Sequence, residues 1–166
     1  MKKYQNLTWN SMLWALLLIY AFVPGASGAA YPDSEAVARL WVQRLTATME
    51  EHASPADVNR LLELYADDAV YEHPHAGARI EGKSLMREGM SSHLGETRSP
   101  KIRITRTIAG EDFAIVEFTL KMDMRQDSKW IPMQRRQVVV LELKGSRIQR
   151  INDHWSRLPL DKAQGR

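Results

Sequence analysis

Asp153 is framed by Ile151 and Trp155, and residues two apart on a strand share a face. It therefore points the same way as an aliphatic side chain and an indole, while Arg150, Asn152 and His154 point the other way. A carboxylate on an apolar face is costly unless it is paired or protonated. Desolvation raises its proton affinity, and such a carboxyl in a cavity is a candidate general base. The alternative is an acid bonded to backbone or to an arginine, closing the core. Arg136, on the side of Val138 and Val140, is the arginine expected to meet Asp153 or a ligand anion. That pairing lowers the carboxyl pKa and weakens the base. Tyr71 and His73 share one face of a short strand, where His73 either moves a proton and orients a carbonyl or forms a polar rim. Glu72, His73, His75 and His93 are metal-compatible donors, but their spacing matches no established site, so no metal is assigned.

Trp155 and Trp130 are candidate pocket walls, with Trp130 in a loop. Met86 and Met90 lie on the apolar side of a helix and suit a core or a pliable wall. Asp153, His73 and Tyr71 thus form the catalytic candidates; Trp155, Trp130, Met86, Met90 and Arg136 form the ligand-binding candidates.

The elements that must position these groups follow from periodicity. Val37, Leu40, Trp41, Leu45 and Met49 mark one face of a first helix, begun at Asp33 or Ser34. Ser54-Pro55 with Asp57 starts a second, whose apolar side is Val58, Leu61, Leu62 and Tyr65. A brief strand over 69–73 stops at Pro74, and a third helix covers about residues 83–94. From Lys101 the pattern alternates through four antiparallel strands, over 101–109, 113–125, 132–143 and 147–157. Asp127, Ser128 and Lys129 supply one turn. Val116, Phe118, Leu120, Met122 and Met124 share a buried face, and Val138 to Leu141 is apolar on both faces. Helices ahead of a curled sheet predict an α+β domain: three helices packed in a strongly curved mixed or antiparallel sheet that forms an open cone.

The chain has 166 residues, 44% hydrophobic and 26% charged, which bounds it to one globular domain behind a leader. Lys2 and Lys3, the apolar run Met12 to Val23, and Ala26-Ser27-Gly28 read as a bacterial signal peptide over 1–28, with cleavage after Gly28 or Ala30 fitting equally. The expected address is periplasmic or secreted, with no membrane anchor after cleavage and a loose tail over 159–166. Without cysteine there is no disulfide framework and no lipid attachment. A formal charge of +3, spread along the chain, does not point to nucleic acid.

The run Leu62-Glu63-Leu64-Tyr65-Ala66-Asp67-Asp68-Ala69-Val70-Tyr71-Glu72-His73-Pro74, the later Ile80-Glu81-Gly82-Lys83, and the closing Arg147-Ile148-Gln149-Arg150-Ile151-Asn152-Asp153-His154-Trp155 resemble SnoaL-like domains of the nuclear transport factor two-like superfamily. The resemblance spans 34–157 and implies the cystatin-like α+β cone, placing the domain at 29–158. It implies a small, largely apolar ligand, a homodimer formed through the open sheet face, and no cofactor. Cyclases and isomerases of this group remove a proton beside a carbonyl with a carboxylate in the cone, a place Asp153 takes. Isomerases hold the developing oxyanion with a tyrosine, for which Tyr71 is available. The epoxide hydrolases use an Asp-Arg-Asp relay; Asp123, Arg125 and Asp127 are near one another, but the first two fall on the wet face. Enzyme and plain binding module both stay open, because this fold hosts many chemistries.

Overall fold

A computed structural model describes residues 34–159. The leader over 1–28 and the tail beyond Pro159 lie outside the described residues. Helix α1 runs Ser34–Thr48 and buries Val37, Ala38, Trp41 and Val42. Helix α2, Pro55–Leu62, buries Val58, Leu61 and Leu62. It begins where proline is harmless, since the first helical N–H has no intrahelical acceptor. Ahead of it, the Ser54 N–H and hydroxyl both donate to Asp57 Oδ2, at 2.9 and 2.7 Å. These bonds hold the Asp57 carboxyl down to a pKa of about 2, with Arg60 adding to the effect.

Strand β1 covers Tyr65–His73 and β2 covers Ala78–Glu81. Helix α3, Lys83–Ser92, separates them from β3, Thr97–Ala109, and β4, Phe113–Gln126. Strands β5, Lys129–Lys144, and β6, Arg147–Arg157, complete one open sheet in the order β2-β1-β6-β5-β4-β3. Strand β1 runs parallel to β6, and every other pairing is antiparallel. The expected α+β architecture of three helices against a mixed sheet is therefore present.

Three element assignments need correction. Trp130, expected in a loop, lies in β5. Tyr65 belongs to β1 and not to α2, and its buried phenol accepts a 2.9 Å hydrogen bond from the Trp41 indole N–H. That bond satisfies two polar groups that would otherwise oppose burial. Strand β2 was also unexpected; it is four residues long and, among the described residues, pairs with β1 alone, too short for alternation to declare itself.

On β4, Val116, Phe118, Leu120 and Met122 form the buried inner face, and Phe118 meets Trp41 of α1 with ring centroids 6.5 Å apart. Each such side chain contributes about 1.5–3 kcal/mol through burial. This face is the floor on which the site is built.

Candidate functional site

A bulge in β6 aims Asp153 inward. Leu143 pairs with Ile148, but Glu142 pairs with Arg150, so Gln149 is an extra residue against β5. Before the bulge the even-numbered Ile148 is buried; after it the odd-numbered Ile151 and Asp153 are. A strand without that insertion would continue the even side inward and turn Asp153 to the outer face. Beyond the bulge, Val139 pairs with Asp153 and Gln137 with Trp155. Parallel β1 places Tyr71 opposite Ile151, one step from the acid.

Asp153 is buried and well held. The Tyr71 hydroxyl donates to Oδ2 at 2.9 Å, and Gln137 Nε2 donates to Oδ1 and Oδ2 at 2.9 and 3.1 Å. An ionised carboxylate only accepts, so the Gln137 amide must present its NH2 there, leaving Oε1 buried without a partner. Tyr71 is held as a neutral phenol, its pKa raised by burial and then by the charge and hydrogen bond of Asp153. Arg135 lies on the same face. Burial lowers its proton affinity while the charge of Asp153 raises it, and a guanidinium stays protonated under that balance.

Trp155 joins these groups to β1. The His73 ring meets Trp155 edge-on at 5.4 Å between centroids, and the Arg135 guanidinium carbon lies 5.4 Å from the Trp155 ring centre. His73 is 5% exposed, yet among the described residues neither ring nitrogen has a hydrogen-bond partner, and Arg135 Nε is likewise buried and unpartnered. His75, exposed, stands 6.0 Å from Trp155 at the rim.

The structure thus brings Asp153, Tyr71, His73 and Trp155 together. Arg136 is not among them. It projects from the outer face, exposed, and its guanidinium binds Glu117 (Nε to Oε1, 2.8 Å). Arg135 and Gln137 take the inward places. Trp130 is also elsewhere, on the outer face between the guanidinium groups of Arg98 and Arg125, at 4.5 and 4.8 Å. Asp123 binds Arg98 there at 3.0 Å, so the Asp123, Arg125, Asp127 set forms no relay beside Asp153. Met86 is fully buried in the common core, and Met90 packs against it. No group of three or more His, Cys, Asp or Glu side chains among the described residues is arranged to hold a metal ion.

A hollow of about 490 Å³ lies on the outer side, lined by Lys101, Arg103, Thr119, Lys121 and Gln134 among others. It is exposed and cationic, whereas the cluster around Asp153 is buried and balanced in charge.

The SnoaL-like domain matches residues 34–151. The chain belongs to this family. No curated protein matches the sequence. Among solved structures, an M. tuberculosis LEH-like epoxide hydrolase superposes with a TM-score of 0.57 at 19% identity, covering 75% of this chain and 86% of that one. A ketosteroid isomerase-like protein from Erwinia carotovora atroseptica SCRI1043 gives 0.58 at 16% identity, with coverages of 80% and 98%. A Catenulispora acidiphila DSM 44928 protein with a ketosteroid isomerase-like fold, solved with trimethylamine, gives 0.53 at 18%, with coverages of 70% and 85%. These likenesses establish the fold this SnoaL-like domain shares, the nuclear transport factor two-like α+β cone.

Proposed function

We propose that this SnoaL-like domain is exported to the periplasm or beyond and binds a small, largely apolar molecule against the inner face of β1, β6 and β5, with Asp153 at the polar end. One observation carries the reading. A carboxylate fixed by Tyr71 and Gln137 is surrounded by buried polar atoms of His73, Arg135 and Gln137 that have no hydrogen-bond partner among the described residues. Buried polar groups are nearly always paired, and those left over mark functional positions. A neighbour of this fold holding trimethylamine supports a capacity for small ligands. Thermal-shift screening of apolar ketones, alcohols and amines tests binding: the reading expects stabilisation of the wild type that Trp155→Ala abolishes. No stabilisation by any compound contradicts it.

A second reading, cofactor-free proton transfer of the isomerase, cyclase or dehydratase type, is favoured by how Asp153 is held. The Tyr71 hydroxyl and a Gln137 N–H shared between both oxygens fix the carboxylate's plane and leave lone-pair positions open for a substrate proton. Tyr71 then positions the base and is not the oxyanion donor, because its hydroxyl is committed to Asp153. Incubation with 1-tetralone in D2O separates the two readings. Deuterium entry beside the carbonyl, lost in Asp153→Asn, supports proton transfer; binding without exchange supports the accessory domain. Assembly as a homodimer belongs to the same proposal, supported by half-buried Ile115, Val138 and Val140 on the outer sheet face.

A further inference from the structure

The partnerless atoms around Trp155 specify a chemistry. Arg135 Nε is a donor and Gln137 Oε1 an acceptor. A neutral His73 contributes one donor nitrogen and one acceptor nitrogen, both without partners. Among these four buried atoms, two lack an acceptor and two lack a donor. Charge narrows the choice further. Asp153 and Arg135 bring one group of each charge type to the same sheet face, so an anionic or cationic head group would add an uncompensated charge in a buried setting. Donors alone would call for an oxyanion, and acceptors alone for an ammonium group. Two of each call for a neutral group that does both.

We propose that the ligand's polar end is a neutral group carrying both an oxygen acceptor and an O–H donor, as in a hydroxy-ketone. Its carbonyl oxygen accepts from Arg135 Nε–H and the His73 N–H; its hydroxyl donates to Gln137 Oε1 or to the other His73 nitrogen. The apolar body lies along Trp155 towards the rim at His75, the exposed side of the cluster. The inference rests on the inner face being the ligand site. It adds that His73 and Arg135 set specificity for the head group, and that His73 is kept for the ligand at a cost to the empty protein's stability. A buried imidazole with no partner destabilises, and an apolar side chain of similar shape removes that penalty.

Isothermal titration with 4-hydroxy-1-tetralone, 1-tetralone and 1-naphthoate tests the head group, and thermal unfolding of His73 variants tests the cost. The hydroxy-ketone should bind wild type about tenfold tighter than either other probe, a factor expected of one added satisfied hydrogen-bonding group. Arg135→Met should weaken the hydroxy-ketone and 1-tetralone alike, since both carry the carbonyl it binds, and His73→Phe should in addition narrow the gap between them. With no ligand, His73→Phe or His73→Leu should raise the Tm by about 2–4 °C, the scale expected for relief of one buried polar group in a domain of this size. Equal binding of the three probes overturns the head-group proposal while leaving the pocket in place, as does tightest binding of the naphthoate. Loss of Tm in both His73 variants overturns it too, by making the imidazole a structural group. Failure of all three probes to bind overturns it together with the reading beneath it.

Discussion

At the scale of single residues, Asp153 is a charge whose burial is offset by two donors and a nearby guanidinium. Asp153→Asn turns an acceptor-only group into one whose NH2 meets the Tyr71 or Gln137 donors. Urea unfolding should show a loss of about 1–3 kcal/mol with the fold retained. Tyr71→Phe should lose about 1 kcal/mol, and the double variant should lose less than the sum, because both changes break one contact. An additive result would show that the Tyr71–Asp153 bond contributes nothing. Tyr65 and Tyr71 both hold their protons more tightly when folded, chiefly through burial. A group whose folded pKa is raised contributes stability below its unfolded value, near 10 for a phenol, and loses it as pH climbs further. Spectroscopic titration should therefore show these two of the five tyrosines ionising only together with alkaline unfolding.

Among the secondary-structure elements, α2 depends on its first turn. Asp57 accepts from Ser54 and is held near a pKa of about 2. A depressed carboxyl contributes above its unfolded value of 3.8 and stops contributing as pH falls towards 2. Asp57→Ala should lower stability by about 1 kcal/mol at pH 7, and the difference from wild type should vanish towards pH 2. Circular dichroism melts at both pH values check this, and a difference that persists at pH 2 contradicts it.

The elements also show why part of the site was legible in the sequence. Alternation placed Ile151, Asp153 and Trp155 on one face, and Tyr71 with His73, because each run is apolar on one side only. Strand β5 gave no such guidance, since Val138 to Leu141 is apolar on both sides. Its facing then depends on the hairpin. Asp127 and Ser128, with φ of 48° and 66°, make a two-residue turn, so even residues of β4 meet odd residues of β5. Counting Lys129 into the turn lengthens it by one residue and turns Arg136 inward in place of Arg135 and Gln137. The bulge at Gln149 left no mark in the local pattern, because it shows only in the pairing with β5.

At the scale of the whole molecule, the inner and outer sheet faces carry different chemistry. The inner face ends in a buried, charge-balanced cluster; the outer one mixes ion pairs such as Arg136–Glu117 with half-buried Ile115, Val138 and Val140. If the outer face joins two copies, Val138→Lys should shift the solution mass from dimer to monomer in light scattering, and a wild-type monomer would contradict that assembly. Expression with the leader intact should yield a mature chain starting at Ala29 or Tyr31 by intact mass, as export requires. The legible part at this scale was the cone itself, fixed by helices preceding alternating strands. The parallel β1–β6 pairing was not legible, because no local pattern distinguishes a parallel neighbour from an antiparallel one.

The account turns on where a small apolar molecule settles. NMR mapping of 4-hydroxy-1-tetralone on ¹⁵N-labelled protein answers this directly, through the side-chain signals of Trp155, Gln137 and Arg135. The largest shifts are predicted at the Trp155 indole N–H, the Gln137 amide and Arg135 Nε–H. Shifts confined to the outer hollow around Lys101, Arg103 and Thr119, with the three inner signals unmoved, would contradict it.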